Sequence, residues 1–155
     1  MTISNNQRRK MKSAARLYAV QALFQMEASG RTVDQVIAES KNHRFGEVFG
    51  DDEMQEGDVD TFHALMEYAV DNQAAIDQMT DRALVAKWPI GRIDPTLRAL
   101  FRAAGAELNL KDTPPKVVIV EFVTVADAFA PESKESKFVN AVLDHMAREA
   151  QPEQF

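Results

Sequence analysis

A cluster of cations near the amino terminus is the part of this sequence whose residue types and spacing are best suited to chemistry. Arg8, Arg9, Lys10, Lys12 and Arg16 give the first 26 residues a charge of +5, because no acidic residue occurs there. The whole chain carries −6, so residues 27–155 carry −11. A basic pole on an acidic protein favours a polyanionic ligand. If the ligand is a single nucleic-acid strand, five phosphate contacts predict a logarithmic salt slope of roughly 3.5.

Gln21 and Phe24 follow the cations on the same predicted helix. A glutamine amide can hydrogen-bond to a base edge, and an aromatic ring can stack on an unpaired base. The apolar pattern also allows Phe24 to pack in the core, and a run of cations also fits a solvated helix start. The residues alone leave these alternatives open. Arg98 and Arg102, four residues apart, could extend the basic surface or form an exposed charged helix flank.

The sequence offers no comparable arrangement for catalysis or metal binding. It has no cysteine, and its three histidines stand apart without a second ligand at metal-binding spacing. It also lacks a glycine-rich phosphate loop and a nucleophile elbow. The acidic segment 45–60 lacks the alternating ligands of a calcium loop, so it is predicted to be a flexible solvated loop. We therefore predict a protein that is not an enzyme and needs no cofactor or metal.

Hydrophobic periodicity predicts an all-α fold of about seven helices. After a loose arm over residues 1–8, the first helix should run from about Arg9 to Ala28 and end before Gly30. Thr32 and Gln35 form a capping box for the second helix. Later, Asp94-Pro95 supplies a cap residue followed by proline at the first helical position.

Two later segments need interpretation. The apolar pattern from about Asp58 to Lys87 fits one long helix or a broken pair, and Trp88-Pro89 should end it. Val117 to Val120 are β-branched and favour a strand. The polar residues that follow recur every third position, which instead predicts a helix to about Phe129.

Length and composition indicate a single domain over residues 1–155. The chain is 45% hydrophobic, which is enough for a substantial core at this length. No apolar run reaches the ~18 residues that span a membrane. The absence of cysteine fits a reducing compartment. We expect a cytoplasmic protein without membrane association.

Five sequence landmarks stand in a particular order. They are Ala15-Arg16-Leu17-Tyr18-Ala19-Val20-Gln21-Ala22-Leu23-Phe24, then Trp88-Pro89, Leu100-Phe101-Arg102-Ala103-Ala104-Gly105-Ala106-Glu107-Leu108, Pro114-Pro115-Lys116-Val117 and Phe138-Val139-Asn140-Ala141-Val142-Leu143-Asp144. In this order the chain resembles the NusB family of bacterial transcription antitermination factors over nearly its whole length.

The resemblance implies a fold of two three-helix groups packed roughly at right angles. It also implies a non-enzymatic function. Family members pair with NusE, a small-subunit ribosomal protein, and the pair binds single-stranded boxA RNA of ribosomal RNA leaders. The resulting complex on RNA polymerase resists termination.

The resemblance also assigns functions to individual residues at matching positions of this chain. The resemblance implies RNA contacts from Lys12, Arg16 and Phe24, and it implies NusE contacts from Phe138 and its neighbours Lys137 and Val139. Arg8, Arg9 and Lys10 join the RNA set by their charge, and Gln21 joins it as a polar neighbour.

Two rival functions and one question of assembly stay open. The same fold occurs as the RNA-binding part of ribosomal RNA cytosine methyltransferases, so the chain could be such a domain in detached form. It could also be a helical protein-interaction module that binds no RNA. A homodimer of the free protein is possible.

Overall fold

A computed structural model describes residues 4–40, 58–84, 93–129 and 135–155. Within these ranges the chain forms seven α-helices, one short 3-10 turn and no strand, which confirms the all-α prediction. The helices are α1 (Asn5–Ser29), α2 (Val33–Ser40), α3 (Val59–Asp71), α4 (Gln73–Ala83), α5 (Pro95–Leu110), α6 (Pro115–Phe129) and α7 (Glu135–Ala150), and the 3-10 turn is Pro152–Gln154.

Helix α1 starts earlier than the sequence pattern predicts. Ser4 is its N-cap, and its hydroxyl oxygen accepts a hydrogen bond from the Gln7 amide at 3.1 Å. Residues 5–8 are therefore helical, whereas a loose arm was expected there. The other end agrees with the prediction. Gly30 adopts a left-handed conformation with φ 73°, and its amide donates to the Met26 carbonyl at 2.9 Å.

The predicted capping signals form as expected because they depend only on local sequence. The Thr32 amide donates to Gln35 Oε1 at 3.0 Å, and the Gln35 amide donates to Thr32 Oγ1 at 3.2 Å. Asp94 Oδ1 accepts from the Thr96 amide at 2.7 Å at the start of α5. These two caps therefore set the residues at which α2 and α5 begin.

The two ambiguous segments are also resolved. The pattern after Asp58 is a broken pair of helices, α3 and α4, with Asn72 between them. Val117 to Val120 lie inside α6, so the helical interpretation is confirmed. The predicted stop at Trp88-Pro89 and residues 45–57 of the predicted acidic loop lie outside the described residues.

Helix α5 is central to the packing. Helices α1, α2 and α3 pack against one another, and α5 contacts α1 and α3 as well as α4, α6 and α7. Helix α1 is buried around most of its circumference from Ala14 to Leu23, which is typical of a central helix. Residues 5–10, at the start of α1, extend from this core and are exposed to solvent. No helix in the described ranges is long and apolar enough to cross a membrane.

Candidate nucleic-acid interface

Four cations are exposed together on the first turns of α1. They are Arg8, Arg9, Lys10 and Lys12. Within the described part of the chain, no carboxylate lies at ion-pair distance from any of them. Positions 8–12 rise only about 6 Å along the helix axis, so these charges repel one another and also oppose the helix dipole. This arrangement favours an anionic ligand that relieves the repulsion.

Arg16 lies in a different environment, although it shares the helix with these cations. It is only 3% exposed. Its Nε lies 2.7 Å from Glu107 Oε1 and its Nη2 lies 2.8 Å from Glu107 Oε2 on α5. Its Nη1 lies 3.0 Å from Glu121 Oε1 on α6. Arg16 thus joins α1 to two other helices inside the core.

The electrostatics of Arg16 support a structural role. Burial alone would lower the pKa of its guanidinium, but the hydrogen bonds to Glu107 and the charges of Glu107 and Glu121 raise the pKa above its ordinary value. Ser13 extends the network, because its hydroxyl donates to Glu121 Oε1 at 3.0 Å. This placement contradicts the expectation that Arg16 contacts phosphate, since its donors face two carboxylates in the interior.

Phe24 and Gln21 lie further along α1, near the edge of the core. Phe24 is 40% exposed, so its ring is available for stacking and core burial is not what the structure shows. Gln21 is half-buried, and its Oε1 atom is buried without a hydrogen-bond partner among the described residues. At 100° per residue, Lys10, Gln21 and Phe24 fall within about 60° of one another, so one side of α1 carries all three.

A groove of about 590 Å³ runs between α1 and α6, and we call it the α1–α6 groove. Most of its lining surface is apolar, and the cations Arg9 and Lys10 are among the lining residues. The lining residues are Asn6, Arg9, Lys10, Ser13, Ala14, Leu17, Tyr18 and Gln21 from α1, with Glu121, Thr124, Val125 and Ala128 from α6. The α6 residues were not predicted as part of a site, because nothing in their own sequence shows that α6 lies beside α1.

The predicted partner-binding residues occupy the start of α7 but differ in exposure. Lys137 is exposed and Phe138 is half-buried. The Phe138 ring meets Phe101 edge to face, with ring centroids 6.4 Å apart and an interplanar angle of 83°. Val139 is 0% exposed. The expectation that Val139 contacts a partner is therefore contradicted in this conformation, because its side chain is enclosed by the core.

Arg98 and Arg102 do not extend the unpaired basic surface. Arg98 Nη2 lies 2.6 Å from Glu27 Oε1, and Arg102 Nη2 lies 2.9 Å from Asp77 Oδ2. Both arginines tie α5 to neighbouring helices. Their side chains are only 13% and 11% exposed, so they do not form the exposed charged flank that was the alternative prediction. Among the residues that the structure describes, no group of three histidine, aspartate or glutamate side chains could hold a metal ion.

Comparison with known proteins identifies the family. The family model of the NusB family matches residues 13–148. The chain belongs to the NusB family. Members of this family are transcription antitermination factors and not enzymes, which confirms the prediction of a non-enzymatic protein.

Relatives in the family are similar over nearly their whole length. Transcription antitermination protein NusB of Maricaulis maris is 45% identical over 149 residues, covering 96% of this chain and 92% of the relative. The protein of the same name from Granulibacter bethesdensis is 38% identical over 156 residues, covering 97% and 95%.

Solved structures of the family share the fold. NusB of T. maritima is 28% identical with a TM-score of 0.71, and the match covers 100% of this chain and 99% of that one. The NusB chain in a crystal structure of the antitermination factors NusB and NusE with double-stranded RNA is 24% identical with a TM-score of 0.74. That match covers 94% of this chain and 99% of the other.

Proposed function

We propose that this protein binds single-stranded boxA RNA of ribosomal RNA leaders together with NusE, as part of an antitermination complex on RNA polymerase in the bacterial cytoplasm. The observation that carries the proposal is the exposed face of α1. Four cations that have no ion-pair partner among the described residues precede Phe24, whose ring is 40% exposed on the same helix. A solved protein of this fold was crystallised with NusE and double-stranded RNA, which supports NusE and RNA as the two classes of partner.

The cations and the aromatic ring have separate roles in this proposal. Arg8, Arg9, Lys10 and Lys12 attract phosphates, which supplies affinity without sequence preference. Phe24 stacks on a base, which requires that the base be unpaired. The site therefore favours a single strand over a duplex, in which the bases already stack on each other.

NusE is proposed to bind at the start of α7. Lys137 is exposed there, and the Phe138 ring is half-buried beside Phe101, so both can present atoms to a partner. Val139 supports this surface from within the core. The proposed RNA-binding residues on α1 and the proposed NusE-binding residues on α7 are then different, so each set can be mutated without changing the other.

Equilibrium titration tests the proposal. A boxA RNA and a scrambled RNA of the same composition are each titrated with the protein, with and without NusE, at several salt concentrations. We expect tighter binding of boxA RNA, a further gain when NusE is present, and an affinity that falls as salt increases. Equal binding of the two RNAs under both conditions would overturn the proposal.

A further inference from the structure

We infer that the α1–α6 groove holds one unstacked nucleobase of the bound RNA and that the side-chain amide of Gln21 turns toward the groove, so that its Oε1 accepts a hydrogen bond from an N–H on the edge of that base. The inference rests on the proposed function and assigns a base-binding subsite within it. The supporting observations are the size and lining of the groove, a glutamine oxygen that has no partner among the described residues, and two cations in the lining.

The size and lining of the groove fit a flat heteroaromatic ring. Its volume of about 590 Å³ lies within the range of sites that hold small molecules. Ala14 and Leu17 on α1 face Val125 and Ala128 on α6 across it. These apolar side chains can cover the two faces of a base without demanding hydrogen bonds from them.

Gln21 distinguishes a base from a purely apolar occupant. Its Oε1 is buried, and no described residue donates a hydrogen bond to it. A buried acceptor without a donor is unfavourable. Rotation of the Gln21 amide toward the groove would expose Oε1 to a ligand, and an N–H of that ligand would then satisfy it. Imino and amino groups on base edges are such donors, whereas an aliphatic or phenylalanine side chain of a protein partner has none.

The charges around the groove suit a base that carries phosphates. Arg9 and Lys10 line the groove and have no ion-pair partner within the described ranges. Glu121 also lines it, but its carboxylate accepts hydrogen bonds from Ser13 and Arg16. The groove therefore presents cations to the backbone of a nucleotide, while the Glu121 carboxylate is already held by Ser13 and Arg16.

Blocking the groove from α6 tests the inference without touching the α1 cations. Thr124 is exposed and lines the groove, so Thr124→Trp places an indole in it. Val117→Trp is the matched control, because Val117 is exposed on the same face of α6 two turns away, about 10 Å along the axis, and is not a lining residue. We expect Thr124→Trp to lower boxA affinity at least tenfold with an unchanged salt slope, and Val117→Trp to bind within twofold of wild type.

A second series identifies the base. BoxA RNAs carrying one abasic nucleotide at each position in turn are titrated against wild type, Thr124→Trp and Gln21→Leu. One abasic position should lower the RNA affinity of wild type about tenfold. The same abasic RNA should cause no further loss of affinity in either variant, because the lost base and the altered residues take part in one contact. Circular dichroism and unfolding midpoints establish whether each variant is folded. If Thr124→Trp does not fold, Gln21→Leu still tests the inference.

The outcomes separate this inference from the proposed function. If wild type binds boxA RNA selectively but folded Thr124→Trp and Gln21→Leu bind it equally well, the inference is overturned and the proposed function stands. The same holds if Thr124→Trp weakens only NusE binding, since the groove would then be a protein-docking site. If wild type binds no RNA selectively, the proposed function fails and the inference fails with it.

Discussion

Arg16 on α1 and Glu107 on α5 form a two-point ion pair in the core. Nε lies 2.7 Å from Oε1, and Nη2 lies 2.8 Å from Oε2. The side chains are 4% and 6% exposed, so both charges have lost most of their water. The pair connects the helix that carries the candidate RNA face to the central helix of the fold.

The first prediction concerns this pair. Arg16→Met should lower the free energy of unfolding by about 3–5 kcal/mol, because it leaves the buried Glu107 carboxylate without its main partner. Arg16→Met combined with Glu107→Leu should recover most of that loss, since an apolar pair replaces a buried ionic one. Urea unfolding measures both. If Arg16→Met keeps full stability and loses RNA affinity, Arg16 contacts RNA after all and the structural assignment is wrong.

Arg16 also shows why part of the site could not be predicted from sequence. Its position on the helix places it in the same arc as Arg9 and Lys12, but a helical pattern does not reveal how far along the helix the core begins. The partner Glu107 is 91 residues away. A usable signal was present, because Arg16 and Glu107 are single charges within otherwise apolar stretches, and two such charges of opposite sign predict a buried pair.

Features set by local chemistry were predictable. The Thr32–Gln35 capping box, the Asp94 cap and the helical period through α6 depend on residues within a few positions of one another. Exposure of Phe24 and burial of Val139 depend on how whole helices pack. Periodicity therefore predicts on which side of a helix a residue lies but not how deeply its side chain is buried. The α1–α6 groove could not be predicted for the same reason, because it forms between two helices that are distant in sequence.

The second prediction tests the exposed cations. Arg8→Gln, Arg9→Gln and Lys12→Gln combined should reduce the logarithmic salt slope of RNA binding by about 2, because each lost phosphate contact on a single strand contributes about 0.7. Lys116→Gln is the control, as Lys116 is an exposed cation on α6 outside the predicted site. RNA titration across a salt series measures the slopes. An unchanged slope in the triple variant would mean that phosphates bind elsewhere.

The third prediction tests stacking on Phe24. Phe24→Ala should cost about 1–3 kcal/mol of RNA binding, as expected for one base–aromatic stack. Phe129→Ala is a matched control, because Phe129 on α6 is 41% exposed and Phe24 is 40% exposed. Both variants should lose similar stability in urea, whereas only Phe24→Ala should lose RNA affinity. Equal RNA affinities for the two variants would contradict the assignment of Phe24.

The fourth prediction separates NusE binding from RNA binding. Lys137→Glu reverses an exposed charge, so it should change stability by less than about 0.5 kcal/mol while weakening NusE pairing. Phe138→Leu should also weaken pairing, and it should lose part of the edge-to-face contact with Phe101, worth about 0.5–1.5 kcal/mol. Calorimetric titration with NusE measures pairing. If Phe138→Leu destabilises the fold but pairs normally, Phe138 serves only the core.

The last prediction concerns the close approach of α4 to α5 at Gly105. A Cβ atom added there would lie 2.6 Å from Ile76 Cγ2 and 3.3 Å from Met146 Cε. Gly105→Ala gains up to about 1 kcal/mol of helix propensity, but overpacking costs about 1–3 kcal/mol, so the net effect in urea should be destabilising. Ile76→Leu removes the Cβ branch that causes the clash, and adding it should make Gly105→Ala neutral or stabilising. A fully stable single variant would show that the two helices separate at little cost, and α5 would then be a less rigid support for α1 than its packing indicates.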